Sequence, residues 1–131
     1  MKKLEFLIDT DILIDHLVTN ENMSLLEKIM QKGNCFTSAI NASELYFSAK
    51  DKTSKLCVDK LLRALKVLGI NSRYSLSICD YNNKTKNFRD ALFCVIADKN
   101  NLIICTMNND SYSKTGIELF DLNDNWGVIW I

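Results

Sequence analysis

Two apolar runs in this 131-residue chain end abruptly in acids and amides. Phe6-Leu7-Ile8 passes straight into Asp9-Thr10-Asp11, and Ile103-Ile104-Cys105 into Thr106-Met107-Asn108-Asn109-Asp110. Two further acids stand early in segments of helical character: Glu44 after Asn41-Ala42-Ser43, and Asp90 after Asn87-Phe88-Arg89. Carboxylates that converge without paired bases repel one another, and their usual compensation is a hard divalent cation with oxygen ligands, Mg2+ or Mn2+. Such a cation lowers the pKa of a bound water and neutralises charge as it develops, which are the two requirements of phosphodiester hydrolysis. Histidine-based or nucleophilic catalysis lacks its parts, because His16 is the single histidine and nothing pairs it with a Ser or Cys. Each acid also has a structural reading. Glu44 could partner a helix cap at Asn41 and Asp90 one at Asn87, since acids are welcome in a first helical turn. Asp9, directly after a buried strand, reads as a site residue.

The elements that must position these acids alternate between strands and helices. Leu4 to Ile8 is a short continuous apolar run, as expected of a strand buried on both faces of a parallel sheet. Ser24-Leu25-Leu26-Glu27 predicts a capping box opening a helix that Gly33 would close. Cys35 to Thr37 predicts a brief strand, Ser38 to Ala49 a helix, and Thr53 to about Leu65 another, with Leu61, Leu62, Leu65 and Leu68 at helical spacing. Val67 to Ile70 predicts a strand, and residues 73–87 a short helix followed by a polar loop. Phe88 to Asp98 predicts an apolar helix and Leu102 to Cys105 a buried strand, with further strands at Ile117 to Phe120 and Val128 to Ile131. His16 is expected near a helix start. This pattern predicts a layered α/β fold, a mostly parallel sheet with helices on both faces. Ligands of open α/β sheets bind outside the carboxyl ends of the strands, so the two acidic endings are expected to face one crevice.

At 47% hydrophobic content, with no proline, four glycines and no repeat, nothing marks a linker, and one domain over residues 1–131 is the expectation. No apolar run approaches the roughly 18 to 20 residues of a membrane helix, and the start meets Glu5 and Asp9 too soon for a signal peptide. A cytoplasmic protein is therefore expected. Five cysteines, odd in number and set mostly among apolar neighbours, predict buried free thiols without disulfide or zinc. The net charge is zero, yet residues 50–89 hold ten Lys/Arg against three acids and the remainder six against thirteen. A basic middle beside acidic ends would suit a polyphosphate held near a cation, or else its lysines coat an exposed helix face.

The ordered set of motifs resembles a family. Phe6 to Asp15 looks like the opening motif of PIN domains, particularly the VapC-like toxins of prokaryotic toxin–antitoxin pairs. Thr37 to Leu45, centred on Glu44, is similar to their second motif, Arg89 to Ala97 to the third, and Leu102 to Thr106 with Asn108 and Tyr112 to the fourth. The resemblance implies a three-layer α/β/α sandwich and a metal-activated water that cleaves RNA. It implies Asp9 and Asp90 as principal metal ligands, Glu44 as a ligand or the holder of a metal-bound water, and Asn108 as a catalytic-site residue. Asn108 falls where many members have aspartate, which leaves open whether one metal binds or two, and Asp110 stands two residues on. Asp11 replaces a commoner asparagine, and Thr106 would orient a water or a neighbouring carboxylate. The resemblance further implies a homodimer, with apolar helix residues near Leu13 and from Leu45 to Phe47. It also implies an antitoxin covering the crevice and supplying an arginine or lysine to its acids.

Three other readings compete. A haloacid-dehalogenase-like phosphatase would use Asp9 as nucleophile, but needs a lysine and a late acidic pair, and leaves Glu44 and Asp90 idle. A receiver domain would need a strand-end aspartate near residue 50, and none is present. A PIN-like module without activity would serve only as a binding partner. Crowded carboxylates raise one another's pKa, so Asp9→Asn is expected to leave the apo protein as stable as before or more so.

Overall fold

A computed structural model describes residues 3–122 of the chain. The order of elements is β1 (Leu4–Ile8), α1 (Thr10–Val18), α2 (Leu25–Met30), β2 (Gly33–Ser38), α3 (Ala39–Ser48), α4 (Lys52–Arg63) and β3 (Lys66–Leu68). A 3-10 helix over Ser72–Tyr81, then α5 (Phe88–Lys99), β4 (Ile103–Cys105) and a 3-10 turn over Asn109–Tyr112 follow. The strands form one parallel sheet in the order β3-β2-β1-β4. The fold is the expected α/β/α sandwich.

Alternation along β1 builds both cores at once, because successive side chains of a strand point to opposite faces. Phe6 and Ile8 pack with Ile12 and Leu13 of α1, Leu26 and Ile29 of α2, and Val58 and Leu61 of α4. Leu7 faces the other way, onto Phe93, Val95 and Ile96 of α5 and Tyr112. Phe6, Leu7 and Ile8 are wholly buried, and each side chain of this size contributes about 1.5–3 kcal/mol when fully buried. Register then levels the strand ends: Ile8 lies beside Cys105, and Leu7 beside Phe36. The Thr37 hydroxyl donates to the Ile8 carbonyl at 2.9 Å, tying β2 to β1 where β1 runs out.

Several sequence expectations are corrected here. Gly33 does not close α2, whose last cap is Gln31. It opens β2 opposite Leu4, and a Cβ there would lie 2.2 Å from the Leu4 carbonyl oxygen, so the position admits no side chain without moving the sheet. His16 lies in the last turn of α1, not near its start, and its Nδ1 meets Ser24 Oγ at 2.8 Å beside the cap of α2. The strand expected at Ile117 to Phe120 reduces to one parallel bridge between Leu119 and Ile104. The strand expected at Val128 to Ile131 lies outside the described residues.

The cysteines divide. Cys94 and Cys105 are buried and Cys35 half-buried, but Cys57 and Cys79 are exposed, against the expectation of burial. Burial pushes the Cys35 and Cys94 thiols up to about 12 and Cys105 well above its usual value, so none of these three is a thiolate at neutral pH. A thiol titration of native protein is expected to show two fast groups, Cys57 and Cys79, and all five only after unfolding. A shortfall from five after unfolding without reductant would reveal a disulfide.

Candidate active site

Asp9 ends β1 and caps α1, so one residue belongs to the sheet, the helix and the site. Its backbone N–H donates to the Cys105 carbonyl at 2.9 Å, which ties it to β4. Its Oδ1 accepts from the Thr10 N–H at 2.8 Å as the α1 cap. Asp9 is thus a helix cap whose carboxylate also lines a crevice.

Glu44 arrives on α3, but not by the expected cap. Ser38 caps this helix and Asn41 closes the reciprocal box, its Oδ1 accepting from the Ser38 N–H at 3.1 Å. Glu44 falls three positions farther on, nearly one turn inside. Asp90 arrives on α5, where the Asn87 side chain accepts from the Asp90 N–H at 2.8 Å and sets the helix start. A crevice of about 210 Å³ is lined by Asp9, Thr10, Asp11, Glu44, Arg89, Asp90, Thr106, Asn108, Ser111 and Tyr112. The structure thus brings together the four residues singled out from sequence, Asp9, Glu44, Asp90 and Asn108. Asn108 is exposed along the crevice wall, with its N–H donating to Thr106 Oγ1 at 3.2 Å. Asp110 is exposed and is not among the lining residues.

One premise of the sequence reading fails: the acids do have a paired base. Arg89 Nη2 lies 2.6 Å from Asp9 Oδ1 and 2.7 Å from Glu44 Oε1, and Nη1 lies 3.1 Å from Asp90 Oδ1. Nε donates to Glu44 Oε2 at 3.2 Å, and Nη1 also to the Tyr112 hydroxyl at 3.0 Å. Of the ten bases in the basic middle, Arg89 alone leaves the exposed surface. The others, including Lys52, Lys55, Lys60 and Arg63 on α4, form a solvated surface. Burial works against the guanidinium charge, but Glu44 and Asp9 outweigh it and raise its pKa further. The Phe93 ring lies beneath, 5.1 Å from the guanidinium carbon to its centroid.

Neutral residues complete the cluster. Asn41 is wholly buried and its Nδ2 donates to Thr10 Oγ1 at 2.9 Å and Asp9 Oδ1 at 3.3 Å. The Thr10 hydroxyl donates to Glu44 Oε1 at 2.5 Å. The Tyr112 hydroxyl donates toward Asp9 Oδ2 and Asp90 Oδ1, both at 3.1 Å. Burial and the Asp9 charge raise the Tyr112 pKa, so it stays a neutral donor. Burial also pushes Glu44 up, yet the Arg89 and Thr10 hydrogen bonds prevail and hold it below the usual carboxylate range. Asp11 turns to β4, where its Oδ2 accepts from Thr106 Oγ1 at 3.0 Å and the Met107 N–H at 2.9 Å. Its Oδ1 is buried without a hydrogen-bond partner, and burial and then the Asp9 charge raise its pKa.

The donor set is all oxygen, three carboxylates with the Thr10 and Tyr112 hydroxyls, which suits a hard divalent cation, and a guanidinium already stands among them as a cation. Among the described residues no three acidic, His or Cys side chains form a ready-made metal cage. The acids converge on Arg89, not on one another. Sequence reasoning missed Arg89, Asn41 and Thr10 as members of the cluster. Their signal was present only as positions next to motif acids.

Comparisons with known proteins agree with the fold. A search of curated proteins finds no match to the chain. Among solved structures, VapBC-1 from nontypeable Haemophilus influenzae matches at TM-score 0.74 and 19% identity over 95% of this chain and 100% of that one. DNA-bound VapBC from Salmonella typhimurium matches at TM-score 0.74 and 19% identity over 90% and 98%. A toxin–antitoxin complex from Klebsiella pneumoniae matches at TM-score 0.69 and 19% identity over 85% and 92%. At such identities the likeness is one of fold. The sequence model of the PIN domain matches residues 6–117, a stretch that contains every residue of the crevice, and the chain belongs to the PIN-domain family.

Proposed function

We propose that this chain is a divalent-metal-dependent ribonuclease and the toxin of a toxin–antitoxin pair. The observation that carries the reading is the convergence of Asp9, Glu44 and Asp90, from three separate elements, on a single cation in one crevice of a PIN domain. Asp9 and Asp90 would be the principal ligands of Mg2+ or Mn2+, and Glu44 a ligand or the holder of a bound water. The metal would supply an activated water and neutralise charge at phosphorus. Asn41, Thr10 and Tyr112 orient the acids by the hydrogen bonds described above, and Asn108 faces the substrate side.

The partner is an antitoxin that covers the crevice, in keeping with the toxin–antitoxin complex among the structural neighbours. A homodimer would use exposed apolar residues. Leu13 and Leu45 are core, leaving Phe47, 94% exposed, as the prominent candidate of those named from sequence. No helix among the described residues is long and apolar enough to cross a membrane, and a cytoplasmic location is proposed with the rest.

Purified chain is expected to cleave single-stranded RNA with Mg2+ or Mn2+ and to stop on chelation. A specific observation favours one alternative, a PIN-fold binding module without activity: Arg89 already neutralises part of the acidic cluster. No divalent binding by calorimetry, together with no cleavage, would establish that alternative.

A further inference from the structure

We propose that Arg89 is a built-in cation that competes with the divalent metal for the acids of the crevice, so that the metal binds only when the guanidinium is displaced. The inference rests on the metal-dependent reading above and concerns how that site is opened.

The guanidinium uses all three of its nitrogens, reaching Asp9, both oxygens of Glu44, Asp90 and the Tyr112 hydroxyl, with Thr10 Oγ1 at 3.2 Å besides. Its five donors are committed, and none is left for a substrate phosphate while it stays. The acid oxygens that face it are committed too. Asp9 Oδ1 takes Arg89 at 2.6 Å, the Thr10 N–H at 2.8 Å and Asn41 at 3.3 Å. Three donors on one oxygen leave no lone pair for an ion that must approach to about 2.0–2.1 Å. Glu44 has both oxygens on the same guanidinium. A metal drawing on Glu44, or on Asp9 through Oδ1, must therefore take oxygens that Arg89 now holds. One held through Asp9 Oδ2, which meets the Tyr112 hydroxyl instead, would stand beside the guanidinium against like-charge repulsion.

Release asks little of the fold. Arg89 stands at the second position of α5, next to Asp90, so rotating its side chain out leaves the helix and its Asn87 cap in place. An occupied site weakens apparent affinity in proportion to the fraction of molecules in which it is free. If the guanidinium leaves the crevice in about a tenth of molecules or fewer, removing it tightens metal binding about tenfold or more.

Two measurements test this on the full chain. Calorimetry with MgCl2 is expected to show Arg89→Gln binding magnesium about tenfold or more tighter than the parent. Loss of a positive charge would by itself strengthen attraction, so displacement is read directly from the side-chain Nε–H signals of 15N-labelled parent protein. The chain has three arginines, and Arg63 and Arg73 are exposed, giving internal references for a free guanidinium. Saturating magnesium is expected to move the Arg89 Nε–H signal, identified by its absence in Arg89→Gln, to their position and fast solvent exchange. An Arg89 signal that stays apart and protected while magnesium saturates the parent overturns the proposal, as does a variant that binds no tighter. If Arg89→Gln fails to fold, Arg63→Lys and Arg73→Lys assign the Arg89 signal by elimination among the three arginines, and the parent spectrum decides. Parent and variant both failing to bind magnesium would bring down the metal-dependent reading itself, and this inference with it.

Discussion

Asp9→Asn is expected to lower RNA cleavage by about 10²- to 10³-fold, the range for removing one preorganised electrostatic group from a reaction site. It is also expected to destabilise the protein without metal. From the sequence the second effect had the opposite sign, because crowded acids should welcome the loss of one charge. The structure reverses it. The Asp9 side chain is only 7% exposed and meets Arg89 at 2.6 Å, so the variant leaves a half-buried guanidinium short of one anion. Loss of a whole partner from a buried pair costs about 3–5 kcal/mol. Glu44 and Asp90 still hold Arg89, and the new amide oxygen can still cap α1, which reduces the expected loss to about 1–3 kcal/mol. Metal should separate parent from variant a second time. Magnesium at a hundred times its dissociation constant stabilises a binding protein by about 2.7 kcal/mol, and the variant should gain much less. Thermal melts with and without MgCl2 measure both quantities, and a variant that melts with the parent and keeps its full magnesium gain would remove Asp9 from the site.

Asn41→Asp should be nearly as damaging, although it changes the side chain by one atom. Asn41 is wholly buried, and its two kinds of group do different work. The oxygen closes the α3 capping box on Ser38, while Nδ2 donates to Asp9 and Thr10. The substitution keeps the acceptor and replaces the donor by an anion facing Asp9, from which Nδ2 stands only 3.3 Å away. Like carboxylates at such range cannot both ionise without cost, and a donor lost inside adds about 1–3 kcal/mol. A total loss of about 3 kcal/mol is expected in urea melts at neutral pH. An acid whose folded pKa is raised costs stability above that pKa and ceases to cost below its unfolded one. The deficit should therefore shrink as pH falls toward about 4. Metal affinity should also drop about 10- to 100-fold, as when a partner that orients a ligand is removed. A variant within about 0.5 kcal/mol of the parent would demote Asn41 to a spectator.

Much of the architecture was legible in the order of residues because its signals are local. Phe6-Leu7-Ile8 reads as a doubly buried strand from its unbroken apolar run, and that is where β1 runs through the middle of the sheet. Ser24 and Glu27 predicted the capping box that opens α2, and Asn87 the cap that starts α5. The carboxyl-end rule for parallel sheets then placed Asp9 and Thr106 on one side, and both line the crevice. The short helix and polar loop read over residues 73–87 correspond to the 3-10 helix of Ser72–Tyr81 and the turns after it, although only Tyr81 is buried and no apolar stripe marks the helix. Gly33 was misread as a helix stop because its real constraint is the Leu4 carbonyl across the sheet.

What the sequence by itself determined is the set of acids and the elements that carry them, since a strand end and two helices follow from local pattern. Only the tertiary structure decided what those acids hold. Arg89 lies 80 residues from Asp9 and 45 from Glu44 along the chain, and no local spacing connects residues so far apart. Charge composition placed it among ten bases that look alike, yet packing of α5 against the sheet turns it inward over Phe93 while the other nine stay in water. An ion pair depends on where side chains meet in three dimensions, and in this crevice that meeting reverses the sign of an electrostatic argument made from the acids alone.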